Sequence, residues 1–167
     1  MSNRQVTIAI DAMGGENSPY KVLKGVEIFS NKNPDVHIKL FGNKNEIFLN
    51  IKEKKIIINN YDIFHTDDDV KDDDNTNTIL RSRKNSSIYK GLEFVKNEEN
   101  SGFVSSGNTA AIMILSRLHL GMIEGIDRPA ICSLIPNQKN YSLMLDLGAN
   151  VTVSPSNLLQ FALMGLC

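Results

Sequence analysis

Short apolar runs alternate along this chain with longer segments in which apolar residues recur at helical spacing. The clearest unit spans residues 102–115 and extends to Leu118. It opens with the apolar pair Phe103 and Val104, turns polar over residues 105–109, and continues with apolar residues three and four positions apart. This pattern predicts a strand, a small polar turn and a helix.

The polar turn of this unit has two interpretations. Its hydroxyl groups and free backbone N–H groups would lie at a helix N-terminus, where the helix dipole favours a phosphate or an oxyanion. Alternatively, Ser106 or Asn108 only caps the helix by accepting a hydrogen bond from the first turn. The local pattern by itself favours the cap.

The rest of the chain repeats this alternation of strand and helix patterns. The triplet at residues 56–58 fits either a helix or a strand. Strand patterns occur at residues 6–10, 36–41, 61–65, 131–135 and 142–147. Because strands and helices alternate, the sequence predicts an α/β fold with a mostly parallel sheet and helices on both faces.

Polar turns follow four of these strands, and in such folds ligands bind beyond the carboxyl ends of the strands. The prediction is that all four turns lie on one edge of the parallel sheet. They begin near Asp11, His65, Ser105 and Asp146. Ser-Pro pairs at residues 18–19 and 154–155 are predicted to begin helices, with Ser as the N-cap and Pro as the first helical residue.

Length and composition predict one soluble α/β domain over residues 1–167. The formal net charge of -1 gives no indication of nucleic acid binding. The two cysteines, Cys132 and Cys167, lack metal-ligand spacing, and Cys132 is expected to be a buried, unreactive thiol. Neither a metal nor a cofactor is predicted.

The two ends of the sequence carry separate indications. The N-terminus leads directly into a strand pattern without a secretory signal, and no apolar run is long enough to span a bilayer. A cytoplasmic protein is therefore predicted. A helical pattern that begins at Leu158 is cut off by residues 165–167, which we interpret as a truncation.

Six aspartates lie between Asp67 and Asp74, the most polar part of the chain. Hard cations prefer oxygen ligands, so one interpretation is a metal site. The glycine and glutamate of an EF-hand loop are missing at the required offsets, however, and charge runs usually stay in water. A solvated loop is therefore the preferred interpretation.

Five segments in the same order resemble one family, the bacterial phosphate acyltransferases of phospholipid synthesis (PlsX family). His65 also falls at the end of the third strand, where that family carries a His. Glu16 and Ala110 stand where the family has Asp and Gly. The segments are DAMGGENSP (11–19), RKNSSI (83–88), SGNTAA (106–111), GIDRPA (125–130) and DLGAN (146–150).

The resemblance implies a function and a fold. It implies transfer of a long-chain acyl group from acyl carrier protein to inorganic phosphate, which gives an acyl phosphate. A membrane glycerol-3-phosphate acyltransferase would then use this product, so peripheral contact with the membrane is expected. The implied fold is a Rossmann-like α/β/α sandwich, similar to phosphotransacetylases and to isocitrate and isopropylmalate dehydrogenases, and a homodimer. Family chains are longer, so this sequence resembles their N-terminal part.

Candidate site residues follow from this chemistry, in which phosphate attacks a thioester carbonyl without a covalent enzyme intermediate. The candidate catalytic residues are His65, Lys84 and Asn108. The candidate phosphate- and substrate-binding residues are Asp11, Gly14, Gly15, Ser106, Gly107, Thr109, Arg128 and Asn150. For each there is a plainer interpretation: the charged side chains hold loops, the aspartates cap turns, and His65 is a satisfied strand-end histidine.

Two alternatives to the acyltransferase remain open at this stage. In the first alternative, the chain is a non-catalytic interaction protein that keeps the family fold, as the early end and Ala110 suggest. The second alternative is a nicotinamide-dependent dehydrogenase. It is the weaker one, because the G-x-G-x-x-G fingerprint after a strand is missing from the sequence.

Overall fold

The computed structural model describes residues 5–71 and 73–166. The chain forms two compact units, Met1–Leu120 and Gly121–Cys167, and each is described by itself. The prediction of one domain over residues 1–167 stays a prediction. Among the described residues, no helix has the length and apolar character needed to cross a membrane.

The first unit is a parallel four-stranded sheet with helices on both faces, in the strand order β3-β2-β1-β4. This confirms the predicted α/β fold, which is consistent with a Rossmann-like α/β/α arrangement. Its elements are β1 (Thr7–Asp11), α1 (Tyr20–Lys32), β2 (His37–Gly42), α2 (Lys44–Glu53), β3 (Tyr61–His65), α3 (Thr76–Ser82), α4 (Ser87–Asn97), β4 (Ser101–Val104) and α5 (Thr109–Leu120).

Side chains alternate across the strands and therefore build two separate apolar cores. On one face, strand residues such as Ile10 and Leu40 pack with Leu23 and Val26 of α1. On the other face, the buried residues come from the three later helices and include Leu92 of α4 and Leu115 of α5. The sheet is thus the middle layer of a three-layer sandwich.

Local structure near α1 differs from the sequence prediction. Pro19 occupies the N-cap position, and α1 has no side-chain cap. The Ser18 hydroxyl donates to the carbonyl oxygen of Gly14 and does not cap the helix. The segment at residues 56–58 forms neither a helix nor a strand, although Ile56 is buried.

Arg83 organises the described part of the acidic segment, which is therefore not a fully solvated loop. Arg83 donates through Nε to Asp74 at 2.7 Å and through Nη1 to Asp68 at 2.8 Å. The Arg83 hydrogen bond is the main cause that lowers the pKa of Asp74. In the described part of the chain, no group of His, Cys, Asp or Glu side chains is arranged to hold a metal; Asp72 lies outside the described residues.

The second unit corrects the prediction for the last two strands. Its elements are β5 (Cys132–Pro136), β6 (Tyr141–Leu145) and α6 (Pro155–Met164). β5 and β6 pair antiparallel in a sheet of their own, because a short turn joins them and leaves no room for a helical crossover. The predicted cap of α6 is confirmed, since Ser154 and Asn157 form a capping box. Cys132 is exposed rather than buried.

Candidate functional site

Two polar turns meet at the carboxyl edge of the parallel sheet. β1 and β4 are neighbours in register, with Ile10 opposite Val104, so the turns that follow them emerge side by side. The Ser105 hydroxyl donates to Oδ2 of Asp11 at 2.7 Å, and the Ser106 hydroxyl donates to the carbonyl oxygen of Gly14 at 2.8 Å. The predicted common edge therefore holds for these two turns.

The approach of these turns is close enough to require glycine. A Cβ atom on Gly14 would lie 2.3 Å from Oδ2 of Asp11 and 2.7 Å from the backbone nitrogen of Gly107. Gly15 has a φ of 85°, and a Cβ there would lie 2.8 Å from the carbonyl oxygen of Ser106. The glycines bring one backbone directly against the other, as ligand-binding turns often require.

The buried side chain of Asp11 connects the two turns. Its carboxylate is 1% exposed and accepts hydrogen bonds from the Met13 backbone N–H at 3.0 Å and from the Ser105 hydroxyl. Ser105 in turn accepts from the backbone N–H of Gly107 at 3.0 Å. A carboxylate cannot donate to phosphate, so Asp11 serves this edge by holding the turns in position.

The first turn of α5 combines a cap with free donors. Oδ1 of Asn108 accepts from the Ala111 backbone N–H at 2.9 Å, so the predicted cap is present. Within the described residues, the backbone N–H groups of Asn108, Thr109 and Ala110 donate to no protein acceptor, and neither does the Asn108 amide nitrogen. These donors and the helix dipole form an arrangement that suits an anion.

His65 lies at the same edge but apart from these turns. It ends β3, which is separated from β4 by β2 and β1, and three strand spacings amount to roughly 14 Å. Its Nδ1 accepts from the Lys44 backbone N–H at 3.2 Å, and its Nε2 lies 3.1 Å from Oδ1 of Asp67. These contacts match a strand-end histidine with satisfied ring nitrogens.

Lys84 is exposed in the connection between α3 and α4. Its ammonium group forms no ion pair with any residue in the described ranges. Its neighbour Arg83, by contrast, is fully engaged with Asp68 and Asp74. Lys84 therefore remains available to an anion, and its catalytic role stays a prediction.

The remaining candidates, Arg128 and Asn150, belong to the second unit. Arg128 donates to the carbonyl oxygen of Thr152 at 3.0 Å, and Asn150 donates through Nδ2 to Pro129 and to Asp146, at 2.9 and 2.8 Å. Both side chains thus hold loops of this unit. Asp146 follows an antiparallel strand, so it is not part of the parallel sheet edge as predicted.

An apolar trough with a volume of about 330 Å³ opens beside the two turns. We call it the α1–β4 trough, and its apolar walls are Ile8, Ile10, Val22, Val26, Phe29 and Val104. Asp11, Ser105 and Ser106 also line it, so the trough is continuous with the polar edge. Sequence reasoning missed the trough, because its walls are ordinary core-forming residues until the fold places them together.

Sequence reasoning also missed Ser105 and Ser18 as parts of the site. The Ser105 hydroxyl connects the two turns through Asp11, whereas the Ser18 hydroxyl donates to Gly14 within its own turn. The signal was present in the doublet at residues 105–106, where both residues carry a hydroxyl directly after a strand. Asp11 lies far from Ser105 in sequence, so only the parallel pairing of β1 with β4 reveals this contact.

A parallel sheet with small polar turns and a helix start at its carboxyl edge belongs to the Rossmann-like class of α/β proteins. Residues 6–167 match the model of a family described as "Fatty acid synthesis protein". The chain belongs to this family, as its motifs predict.

Curated relatives named "Phosphate acyltransferase" come from several bacteria. The protein of Pelagibacter ubique is 40% identical over 160 residues, which cover 96% of this chain and 47% of the relative. The protein of Magnetococcus marinus is 41% identical over 160 residues, 96% of this chain and 46% of the relative. The protein of Neorickettsia sennetsu is 39% identical over 165 residues, which cover 97% of this chain and 48% of the relative. The chain spans about half the length of these relatives.

Proposed function

We propose that this protein transfers a long-chain fatty acyl group from acyl carrier protein to inorganic phosphate, forming an acyl phosphate for phospholipid synthesis. The observation that carries the proposal is the set of free N–H donors at the start of α5, held beside the Gly14 turn. Relatives of this chain are named phosphate acyltransferase, and a phosphate site is what that name requires.

In the proposed reaction, the start of α5 holds the phosphate dianion against the thioester. A phosphate oxygen attacks the acyl carbonyl, the new C–O bond forms, and the C–S bond breaks with release of the carrier thiolate, which takes up a proton. Backbone donors aimed at developing negative charge lower the barrier, because they need no reorganisation during the reaction. Lys84, which forms no ion pair in the described ranges, supplies positive charge to the phosphate.

The remaining parts of the proposal concern partners and location. The acyl carrier protein and inorganic phosphate are the substrates, and a membrane glycerol-3-phosphate acyltransferase takes the product. The protein is cytoplasmic, a homodimer and peripheral at the membrane. The labile acyl phosphate then diffuses only a short distance to the membrane acyltransferase. Residues 1–167 act as one domain.

Phosphate-dependent release of free carrier protein tests the proposed reaction. We expect the purified chain to release carrier protein from palmitoyl-acyl carrier protein with phosphate, and none with sulfate in its place. The Magnetococcus marinus relative serves as the reference for the assay. A folded chain that releases no carrier, under conditions in which the reference does, contradicts the proposal; carrier binding without release favours the non-catalytic alternative.

Substitutions at Asn108 test whether the start of α5 holds the phosphate. Asn108→Asp keeps the cap acceptor but places a negative charge at the site, so we expect phosphate affinity to fall at least about tenfold. Asn108→Ser also keeps the cap, and should weaken binding less because only the amide donors are lost. Phosphate affinity is measured by titration calorimetry.

Asn43 offers the matched control for this series, since its side chain caps α2 by accepting from Asn45 and Glu46. Asn43→Asp makes the same chemical change at a different helix start, and should leave phosphate affinity unchanged. If Asn108→Asp binds phosphate as the parent does, the anion belongs elsewhere and the turn at residues 105–109 is only a cap.

A further inference from the structure

We propose that the α1–β4 trough holds the fatty acyl chain, with the carbonyl end at the Ser105–Ser106 turn, and that Gly25 keeps the trough open. This inference rests on the proposed function, because it assigns a place to the acyl part of the same substrate. It names the residues that contact the chain and determine how long a chain is accepted.

The walls of the trough have the chemistry that an acyl chain requires. β1 contributes Ile8 and Ile10 to the floor, and β4 contributes Val104, which is 53% exposed. Val22 and Phe29 of α1 lie along the opposite side. Transfer of methylene groups from water to such a surface is favourable in proportion to the apolar area that is covered.

One glycine lines the trough and a second lies next to its floor. Gly25 lies in the middle of α1, where glycine lowers helix stability, and it lines the trough. Gly102 of β4 pairs with Ile8 on the floor. A Cβ atom on either glycine would meet no other atom within 4 Å, so packing within the described fold does not explain their small size.

The position of the trough relates it to the reaction centre. Its lining passes without interruption from apolar residues to Ser105 and Ser106, which precede the free donors of α5. A thioester carbonyl at this boundary would have its acyl chain on the apolar side and phosphate on the polar side. Lys21 adds a positive charge to the lining and forms no ion pair among the described residues, which complements an acyl phosphate or a fatty acid.

Fatty acid binding tests this assignment without any need for turnover. The probe is cis-parinaric acid, a fluorescent fatty acid, displaced by saturated fatty acids of ten to sixteen carbons below their critical micelle concentrations. We expect the parent chain to bind them with an affinity that rises by up to about fourfold per methylene, until the trough is full.

Gly25→Phe is the decisive variant, because it fills the trough from the α1 side. A larger residue also has a better helix propensity than glycine, so the variant should be as stable as the parent. We expect the affinity for sixteen-carbon acid to fall at least about tenfold and the dependence on chain length to flatten. Gly25→Ala is the matched control; it adds one methyl group and should bind nearly as the parent does.

Each result separates this inference from the proposed function. Suppose that the parent chain releases carrier protein but binds no fatty acid, or that Gly25→Phe binds fatty acid as well as the parent does. Either result overturns the acyl assignment and leaves the proposed function standing. Fatty acid binding that Gly25→Phe removes, in a chain without phosphate-dependent release, supports the assignment and contradicts the function. Loss of self-association in Gly25→Phe, measured by light scattering, would show that a second copy covers the trough and also overturns the assignment.

Discussion

Gly14→Ala is expected to lower the free energy of unfolding by about 3 kcal/mol and to abolish phosphate binding. The new methyl group would lie 2.3 Å from the Asp11 carboxylate and 2.7 Å from the Gly107 nitrogen. Both neighbours are held in place, since Asp11 is buried and Gly107 is backbone, so the two turns must move apart. Urea denaturation measures the stability, and titration calorimetry measures phosphate binding.

Gly25→Ala is the control for this first prediction. Gly25 is helical and has open space around its Cα atom, so alanine there should raise the stability by about 0.5–1 kcal/mol. The same substitution thus has opposite effects at two glycines, and the difference reports the close contact of the turns. An unchanged denaturation midpoint for Gly14→Ala would mean that the turns at residues 11–16 and 105–109 do not meet.

Asp146→Ala is expected to disorder the loop that follows β6, at a cost of about 2 kcal/mol within the second unit. The Asp146 carboxylate accepts from the backbone N–H groups of Ile131 at 2.9 Å, Ala149 at 3.1 Å and Asn150 at 2.8 Å, and from Nδ2 of Asn150. Its removal leaves all of these donors without their acceptor. Amide hydrogen exchange measures the loss, because it resolves opening of the second unit from global unfolding.

The same carboxylate predicts how the loop responds to acid. Burial acts to raise the pKa of Asp146, but the hydrogen bonds from Asn150, Ile131 and Ala149 together lower it below its ordinary value of 3.8. A lowered pKa in the folded state means that the stabilisation is complete above pH 3.8 and is lost as the pH falls through the folded-state pKa. Exchange protection in this loop should therefore decline only below that pH.

Asp127→Ala provides the comparison for Asp146. Asp127 lies in the same unit and its carboxylate accepts one hydrogen bond, from Nε2 of Gln160 at 2.7 Å. Its replacement should reduce protection near Gln160 and leave residues 146–150 unchanged. Equal effects of the two substitutions would mean that the network around Asp146 does not hold this loop.

Much of the first unit was determined by the sequence alone, because its elements follow from local periodicity. Residues 61–65 form β3 with the predicted bounds, and the unit at residues 102–115 is a strand, a turn and a helix. The family motifs were equally readable, since each is a contiguous run of residues. Even the Asn108 cap was predictable, because a cap involves neighbours in the chain.

Tertiary structure decided what depends on residues distant in sequence. Periodicity does not distinguish a parallel from an antiparallel strand, so the pairing of β5 with β6 and the place of Asp146 were predicted wrongly. Likewise, the hydrogen bond from Ser105 to Asp11 and the open space at Gly25 arise only when β1, β4 and α1 are packed together. Local sequence determines which element a residue joins, whereas long-range pairing determines which residues share an edge, and the candidate site depends on that edge.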